Sequence, residues 1–329
     1  MHDVAVVGGG VAGASAAYHL AQRGASVVLY EREHLGAGSS GRSAAFVETL
    51  YTDADRVRWT QFSARLYEQL EVPFVQNGKL QLAHDDAQLT RYARTLELRE
   101  DDGARVVAPD EIAALAPRLR IDDLAGAVFG PRDGWVDPPR LIDRLLDGID
   151  VRRQEVTDLH ATGARAVVVA TGAWAQELCD VPVVGERRTI SVFEDDDGRA
   201  GETPLVVDPV GDDGDSLYLR GDGGRLVLAG FHSERHGHDE ELVPLLAARW
   251  RDPDALGLRG GWSGLYPLTP DGQPAVGEVE PGVVALLGLG GNGIQLGGAL
   301  GRVVADLVLD GGSDLLPDPA RYAPTRFAA

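Results

Sequence analysis

Three stretches of this 329-residue chain predict its fold class, which is α/β, or α+β overall. An apolar run, a glycine turn and an amphipathic helix occupy 4–31, and the same order returns at 283–310. Between 186 and 231 the pattern changes to short alternating runs separated by Gly and Asp turns. The first two patterns predict a Rossmann-type nucleotide-binding domain, and the third predicts a second domain built on an antiparallel sheet covered by helices.

The opening unit reads as strand 4–8, helix 11–23 and strand 26–31. Gly8 permits the tight turn, Gly10 lets backbone approach a pyrophosphate, and Gly13 lets the helix lie against the strand. The helix begins at Val11, where free N–H groups and the positive dipole end face the phosphates. Glu31 stands 18 residues past Gly13, placed to accept ribose hydroxyls and to repel a 2′-phosphate. The unit therefore predicts an ADP-containing cofactor other than NADP; the alternative is a glycine-rich turn of an ordinary α/β protein.

A small-residue loop, GAGSSGRSAA, follows at 36–45. Segments 53–71 and 87–103 carry Arg, Glu and Leu at helical spacing, PDEIAAL (109–115) reads as a proline-started helix, and 138–147 as another. RAVVVATGAW (165–174) reads as a buried parallel strand entering a tight turn. After a turn-rich stretch at 264–279, VVALLGL (283–289) is a core strand, and GGNG (290–293) leads into a helix at 294–310. The simplest assembly is a discontinuous nucleotide-binding domain from 1–50, 140–182 and 270–329. Segments 51–139 and 183–269 then make the substrate domain, with a ligand at the seam.

Composition narrows the function classes. A net charge of −20 argues against nucleic acid and anionic membranes as partners. Lys79 is the sole lysine among 31 basic residues, and Cys179 the sole cysteine, read as a small buried hydrophobe. No metal site is read. The start MHD runs straight into the first strand without a signal-peptide pattern, and no apolar run is long enough to span a membrane, so the expected location is cytoplasmic.

A NAD enzyme would continue with a second mononucleotide half after about residue 80. This chain turns antiparallel instead, which points to FAD. Its motifs GGGVAGASAAYHLA, YEREHLGAGSSGRSAAF, VVVATGAWA, WSGLYPLTPDGQPAVG and GLGGNGIQLGGALGRVVADLVLDG resemble the D-amino-acid oxidase superfamily of flavoproteins, within it D-arginine dehydrogenase and related amine dehydrogenases. The resemblance covers nearly the whole chain.

That resemblance implies FAD held without a covalent bond. Arg32 follows the ribose-binding Glu31, and Ser39, Gly41, Arg42 and Ser43 form a second phosphate-binding and flavin-facing loop, with a surface ion pair as the plainer reading of Arg42. Val156 resembles the strand residue that meets the adenine, Thr171 and Gly172 the turn against the ADP half, and Trp174 is either core or pocket wall. Gly264, Gly290, Gly291, Asn292, Gly293 and Ile294 fall at the flavin's redox end, where the second helix start would stabilise an anionic reduced ring; the alternative is a glycine loop ending a strand.

On the substrate side the resemblance implicates Tyr51, Arg188, Tyr218, Tyr266, Asn292 and Gln295. Arg188 offers a planar fork to a substrate carboxylate; beside Arg187 it is alternatively a solvated edge guard. Tyr51 and Tyr218 either close the pocket or sit in the core with satisfied hydroxyls.

Several positions depart from the pattern. Tyr266 stands where a carboxylate-gripping arginine is usual, Lys79 where D-arginine dehydrogenase has a glutamate, and Phe46 where it has a histidine. Only ten residues separate Val156 from Val167, where relatives insert a hairpin. Leu228 replaces the lysine of sarcosine-type oxidases.

The implied reaction is oxidation of a carbon–nitrogen bond in an amino acid or secondary amine. Hydride passes to flavin N5 and water hydrolyses the imine product. The electron acceptor is a quinone, a carrier protein or oxygen, and a dehydrogenase is preferred to an oxidase. The alternatives are a flavin-binding assembly or scaffold subunit with a degraded pocket, and a NAD-linked dehydrogenase.

Overall fold

A computed structural model describes residues 2–99, 102–196, 198–211, 214–232 and 241–328. Among these residues there are three sheets. The first has the order β16-β17-β10-β1-β2-β9. It consists of β1 (Val4–Val7), β2 (Val27–Glu31), β9 (Asp150–Arg153), β10 (Ala166–Val169), β16 (Ala275–Glu280) and β17 (Val283–Leu287). Every pairing in it is parallel except β16 with β17. The β1, β10 and β17 sequences are nearly unbroken Val, Ala and Leu because both faces of these strands are covered.

Helix α1 (Val11–Gln22) follows β1, and α7 (Gly293–Asp310) follows β17. The two strands are parallel, so both helices start at the same edge of the sheet. Gly8 makes the first turn at φ +114°, and a Cβ there would lie 2.4 Å from the carbonyl oxygen of Ala170. At Gly13 a Cβ would lie 2.0 Å from the Gly8 oxygen, so α1 sits on its own strand with no room for a side chain.

Helix α7 packs against α1 and α2 (Ala54–Gln69), and α1 also meets α5 (Pro138–Leu145). Ser15 Oγ and His19 Nε2 of α1 both donate to the Gly298 carbonyl, at 3.2 and 3.1 Å. Ser63 Oγ of α2 accepts from the Ala299 N–H at 3.0 Å, and the Tyr67 hydroxyl donates to the Ile294 carbonyl at 2.6 Å. Asp53 caps α2 by accepting from the Arg56 N–H at 3.0 Å. Arg321 and Tyr322 of α8 (Pro319–Tyr322) reach back to α2, to Asp53 at 2.7 Å and Asp55 at 2.9 Å.

The second sheet has the order β15-β11-β14-β13-β12-β5-β7-β6. Its strands are β5 (Lys79–Ala83), β6 (Arg105–Val107), β7 (Gly126–Gly130), β11 (Val184–Asp195), β12 (Leu205–Pro209), β13 (Ser216–Gly221), β14 (Leu226–His232) and β15 (Leu256–Leu268). Alternation sorts its faces. Leu80, Leu82, Leu217, Leu219, Val227 and Ala229 pack under α4 (Pro109–Leu115) and α6 (Leu242–Arg249) around Trp250. The intervening Lys79, Gln81, Ser216 and Tyr218 point the other way. Helix α3 (Asp86–Ala93) lies against β5 and β7. A small third sheet joins β3 (Phe46–Val47), β8 (Gly134–Val136) and β4 (Phe74–Val75).

The structure corrects several expectations. The strands of 186–231 pair antiparallel as expected, but the sheet they belong to is larger and mixed, because β12 also pairs in parallel with β5. β5, β6 and β7 lie between the expected helices, in residues to which the sequence assigns no element; their runs are too short for a periodicity to declare itself. The helix expected over 87–103 ends at Ala93 and tightens to a 3-10 turn through Leu98. Strands reach into the turn-rich stretch 264–279: β15 runs to Leu268 and β16 starts at Ala275, because pairing with β11 and β17 supplies the ladder there.

His19 is buried at the α1–α7 contact, and burial lowers its pKa to about 4 despite the carbonyl partner, which raises it. A base with a depressed folded pKa contributes stability that is present above its unfolded value near 6.5 and lost as pH falls toward 4. Relative to a His19→Gln variant, the wild type should therefore lose about 2 kcal/mol of stability between pH 7 and pH 5. Denaturant unfolding of both proteins at the two pH values measures it, and a pH-independent difference contradicts it.

Candidate active site

One connected cavity of about 540 Å³ runs from the shared edge of the first sheet to the face of the second that is turned away from α4 and α6. Its lining includes Gly8, Gly10 and Val11 from the start of α1, and Gly290, Gly291, Asn292, Gly293, Ile294 and Gln295 from the start of α7. Both helix starts are therefore aimed at the same space, each with unsatisfied N–H groups and the positive end of a dipole. Neither N-terminus carries a side-chain cap from its own N-cap residue. Asn292 turns its Oδ1 to the Tyr51 hydroxyl instead, at 3.3 Å. At α1 the Val11 N–H donates to Ser40 Oγ at 3.0 Å, so one of the donors expected for phosphate is engaged by a loop hydroxyl.

The α1 end has the chemistry of a dinucleotide site. Glu31 Oε2 accepts from the Gly9 N–H at 2.7 Å and Oε1 from the Glu33 N–H at 2.8 Å, which fixes the carboxylate at the cavity wall with lone pairs to spare for hydroxyls. Arg32 lies over the Trp174 ring, 5.1 Å from its centroid, and pairs with Glu155 and Glu177, so the rim of this end is built from both expected residues. Ser39, Arg42 and Ser43 line the cavity. Ser39 Oγ bonds the Leu265 carbonyl, and Trp262 Nε1 donates to the Arg42 carbonyl at 2.8 Å. The loop that follows is pinned by buried Arg220, which donates to the Ala44 carbonyl at 2.9 Å and stacks 4.0 Å from the Trp135 centroid.

Thr171, Gly172, Trp174, Val156 and Gly264 also line the cavity. The Thr171 hydroxyl is buried without a hydrogen-bond partner among the described residues, which suits a ligand supplying one. Val156 lies three residues beyond the end of β9, not on the strand itself. Gly13 and Gly41 are off the lining. Gly13 serves helix–strand contact, and at Gly41 a Cβ would meet the Gly36 oxygen at 2.6 Å, so its role is the tight loop.

Beyond the α7 start the cavity opens on the second sheet, where Arg188, Tyr218 and Tyr266 converge with Tyr51 and Gln295. Arg188 is no edge guard, because β11 lies between β15 and β14. The exposed neighbour Arg187 faces outward to Ser263 at 3.1 Å, while Arg188 faces inward, paired with Glu186 and 5.7 Å from the Tyr266 centroid. The Tyr266 ring lies against the α7 turn, where a Cβ at Gly291 would meet it at 2.5 Å. Burial raises the Tyr266 phenol pKa, a hydrogen bond from Tyr218 opposing it, so it stays a neutral donor. Phe46 stacks edge-on against Tyr218 at 5.5 Å, lining the wall as an apolar ring.

Tyr51 is held by Glu48 at 3.2 Å, by Asn292 and by Gln295. Burial, then the Glu48 charge, push its phenol well up, so it too is protonated at neutral pH. Gln295 Nε2 also donates to Glu48 Oε1 at 3.3 Å, and Lys79 forms a buried ion pair with Glu48. Glu48, Glu186 and Ser40 were missed by sequence reasoning. Ser40 sits within a loop already marked, whereas no spacing rule tied Glu48 to Lys79 across 31 residues.

Comparison with known proteins agrees with this geometry. A family model described as DAO, FAD dependent oxidoreductase, matches residues 3–307. The chain is 27% identical to human mitochondrial sarcosine dehydrogenase over 94% of its own length, and spans only 40% of the length of that relative. It is 28% identical to glycine oxidase of Geobacillus kaustophilus over 93% of both chains. The solved structure of that glycine oxidase matches with a TM-score of 0.81 at 26% identity, covering 100% of this chain and 99% of the other. L-proline dehydrogenase from P. horikoshii shares the fold, with a TM-score of 0.87 at 23% identity over 99% and 97% of the two chains. No helix among the described residues is long and apolar enough to cross a membrane.

The Thr171 hydroxyl supplies a prediction with two opposite signs. Replacing it in Thr171→Val removes an unsatisfied buried group and should stabilise the flavin-stripped protein by about 1 kcal/mol, while weakening FAD retention. Thermal midpoints of stripped and FAD-loaded protein check both halves; a loss of stability in the stripped form contradicts the assignment.

Proposed function

The chain belongs to the DAO family of FAD dependent oxidoreductases, and on that premise we propose that it oxidises a carbon–nitrogen bond in an amino acid or secondary amine. The observation that carries this reading is the convergence of two helix starts on one cavity that Arg188, Tyr51, Tyr218 and Tyr266 also line. FAD would lie along the cavity without a covalent bond. Glu31 would accept from its ribose, the α1 start with Ser39, Arg42 and Ser43 would face its diphosphate, and Val156, Thr171, Gly172 and Trp174 would flank the adenosine half. Gly264 and Gly290 to Ile294 would meet the redox ring. Cys179 is elsewhere, its thiol donating to the Ala175 carbonyl at 3.5 Å.

When bound, FAD supplies the acceptor for the hydride that leaves the carbon beside nitrogen. The protein binds and orients. Arg188 presents a fork of N–H donors, so an incoming carboxylate can take one edge while Glu186 keeps the other. Tyr218 and Tyr266 add hydroxyl donors beside it, and Tyr51 with Asn292 and Gln295 forms the opposite wall. An amine must be neutral to lend its lone pair to the departing hydride, so a pocket that orients the free amine needs no dedicated base. Water then hydrolyses the imine released from the site.

We infer a dehydrogenase, passing electrons to a quinone or carrier protein, in preference to an oxidase. What supports this is Leu228, buried among Ala44, Ile190 and Tyr218, so that this part of β14 offers no cation to an approaching oxygen molecule. A second reading, a flavin-binding scaffold subunit, draws on the internal pairing of the inward cations, Arg188 with Glu186 and Lys79 with Glu48.

Anaerobic addition of α-amino acids and N-methylated amines to the FAD-loaded protein separates the two. Bleaching of the flavin absorbance near about 450 nm by any member supports the enzyme, and bleaching by none leaves the scaffold. Arg188→Met should lower kcat/KM for carboxylated substrates about 100-fold with flavin content unchanged, the loss expected for a charge-assisted pair worth about 3 kcal/mol. Unchanged turnover removes Arg188 from the site.

A further inference from the structure

Thirty of the 31 basic residues in this chain are arginines, and the one lysine is in the cavity wall. Lys79 has a side chain only 3% exposed, and its partner Glu48 is 13% exposed. They come from separate segments, Lys79 from β5 and Glu48 from the residue after β3, and both line the cavity. The strand alternation that buries Leu80 and Leu82 in the apolar core turns Lys79 and Gln81 toward the cavity. Through Glu48 the pair is wired to the α7 start, because the same carboxylate takes Gln295 Nε2 at 3.3 Å and the Tyr51 hydroxyl at 3.2 Å. Behind them, Thr49 Oγ1 donates to buried Asp133 at 2.7 Å.

We propose that the Lys79–Glu48 ion pair sets the charge class of the substrate, admitting a neutral substituent at this end of the cavity and rejecting both acidic and basic ones. The inference rests on the amino-acid or amine reading of the same site. A charged substituent entering here loses its water and meets attraction from one partner offset by repulsion from the other, so its desolvation goes uncompensated. A neutral substituent loses nothing comparable. Each partner also masks the other. Without Lys79, Glu48 is a buried carboxylate in want of a cation, and without Glu48, Lys79 is a buried ammonium in want of an anion. The pair is thus a lock with two opposite failures.

The test uses the FAD-loaded protein and three carboxylates that cannot be oxidised at an α-amine: butanoate, succinate and 4-guanidinobutanoate. Perturbation of the flavin absorbance reports binding without turnover. The wild type should bind butanoate at least about tenfold more tightly than either charged analogue, about 1.4 kcal/mol. In Lys79→Met the preference should move at least about tenfold toward 4-guanidinobutanoate, and in Glu48→Gln by a similar factor toward succinate. Shifts in one common direction, or none, overturn the proposal. A wild type that binds the charged analogues as tightly as butanoate overturns it whatever the variants do, including variants that fail to retain flavin. Binding without discrimination fails this inference alone. Silence of the whole panel fails the underlying reading of the site and this inference with it.

Discussion

The rest of this structure depends on how closely α1 and α7 pack. Ser15 and His19 of α1 share one α7 carbonyl, at Gly298, and α7 is buried almost all round between α1, α2 and the sheet. Glycines 297 and 301 let the α1 and α7 axes approach, as Gly298 does toward Ser63 of α2, and that approach sets side by side the two helix starts that parallel strands bring to one edge of the sheet. Were a bulky side chain to separate the helices, the two positive dipole ends would point into different spaces. An elongated ligand with an anionic middle and an electron-accepting end could not then be held by both.

The second sheet meets this edge with one face. Its strands come from 79–130 and 184–268, and its other face is sealed under α4 and α6 around Trp250. The inward face carries residues that are costly to bury: Arg188, Lys79, Gln81 and Tyr218. Each inward cation has an acid within reach, Glu186 or Glu48, and the phenols of Tyr51 and Tyr266 are kept protonated by burial. Such pairing offsets part of the desolvation of each ion and leaves a chamber that is polar yet close to neutral. On the amino-acid or amine reading proposed above, such a chamber would suit a substrate whose amine is neutral and whose charge is confined to one carboxylate.

Local signals in the sequence went far on the nucleotide side. Gly13 and Glu31 act through contacts to Gly8, Gly9 and Glu33, and Gly8 takes the positive φ of the same turn; turn sterics and helix geometry leave few alternatives there, and the βαβ unit stands within a residue or so of where it was expected. The recurrence of strand, glycine turn and helix at 283–310 is equally local. Mixed pairing was less legible. β5 finds β12 across more than 120 residues, and a five-residue run such as KLQLA carries neither a helical nor a strand period long enough to identify its partner.

What the sequence by itself determined is therefore the βαβ unit with its glycine turn, the α/β class and most of a small set of residues that line the cavity, because each rests on spacing along the chain. The tertiary structure alone decided the electrostatics of the chamber. It put Lys79 against Glu48, Arg188 against Glu186 and Ser40 over the first N–H of α1. Burial and ion pairing are properties of distance in space, and no pattern of neighbours in the chain encodes which acid will meet which cation once sheets from distant segments close on a common cavity.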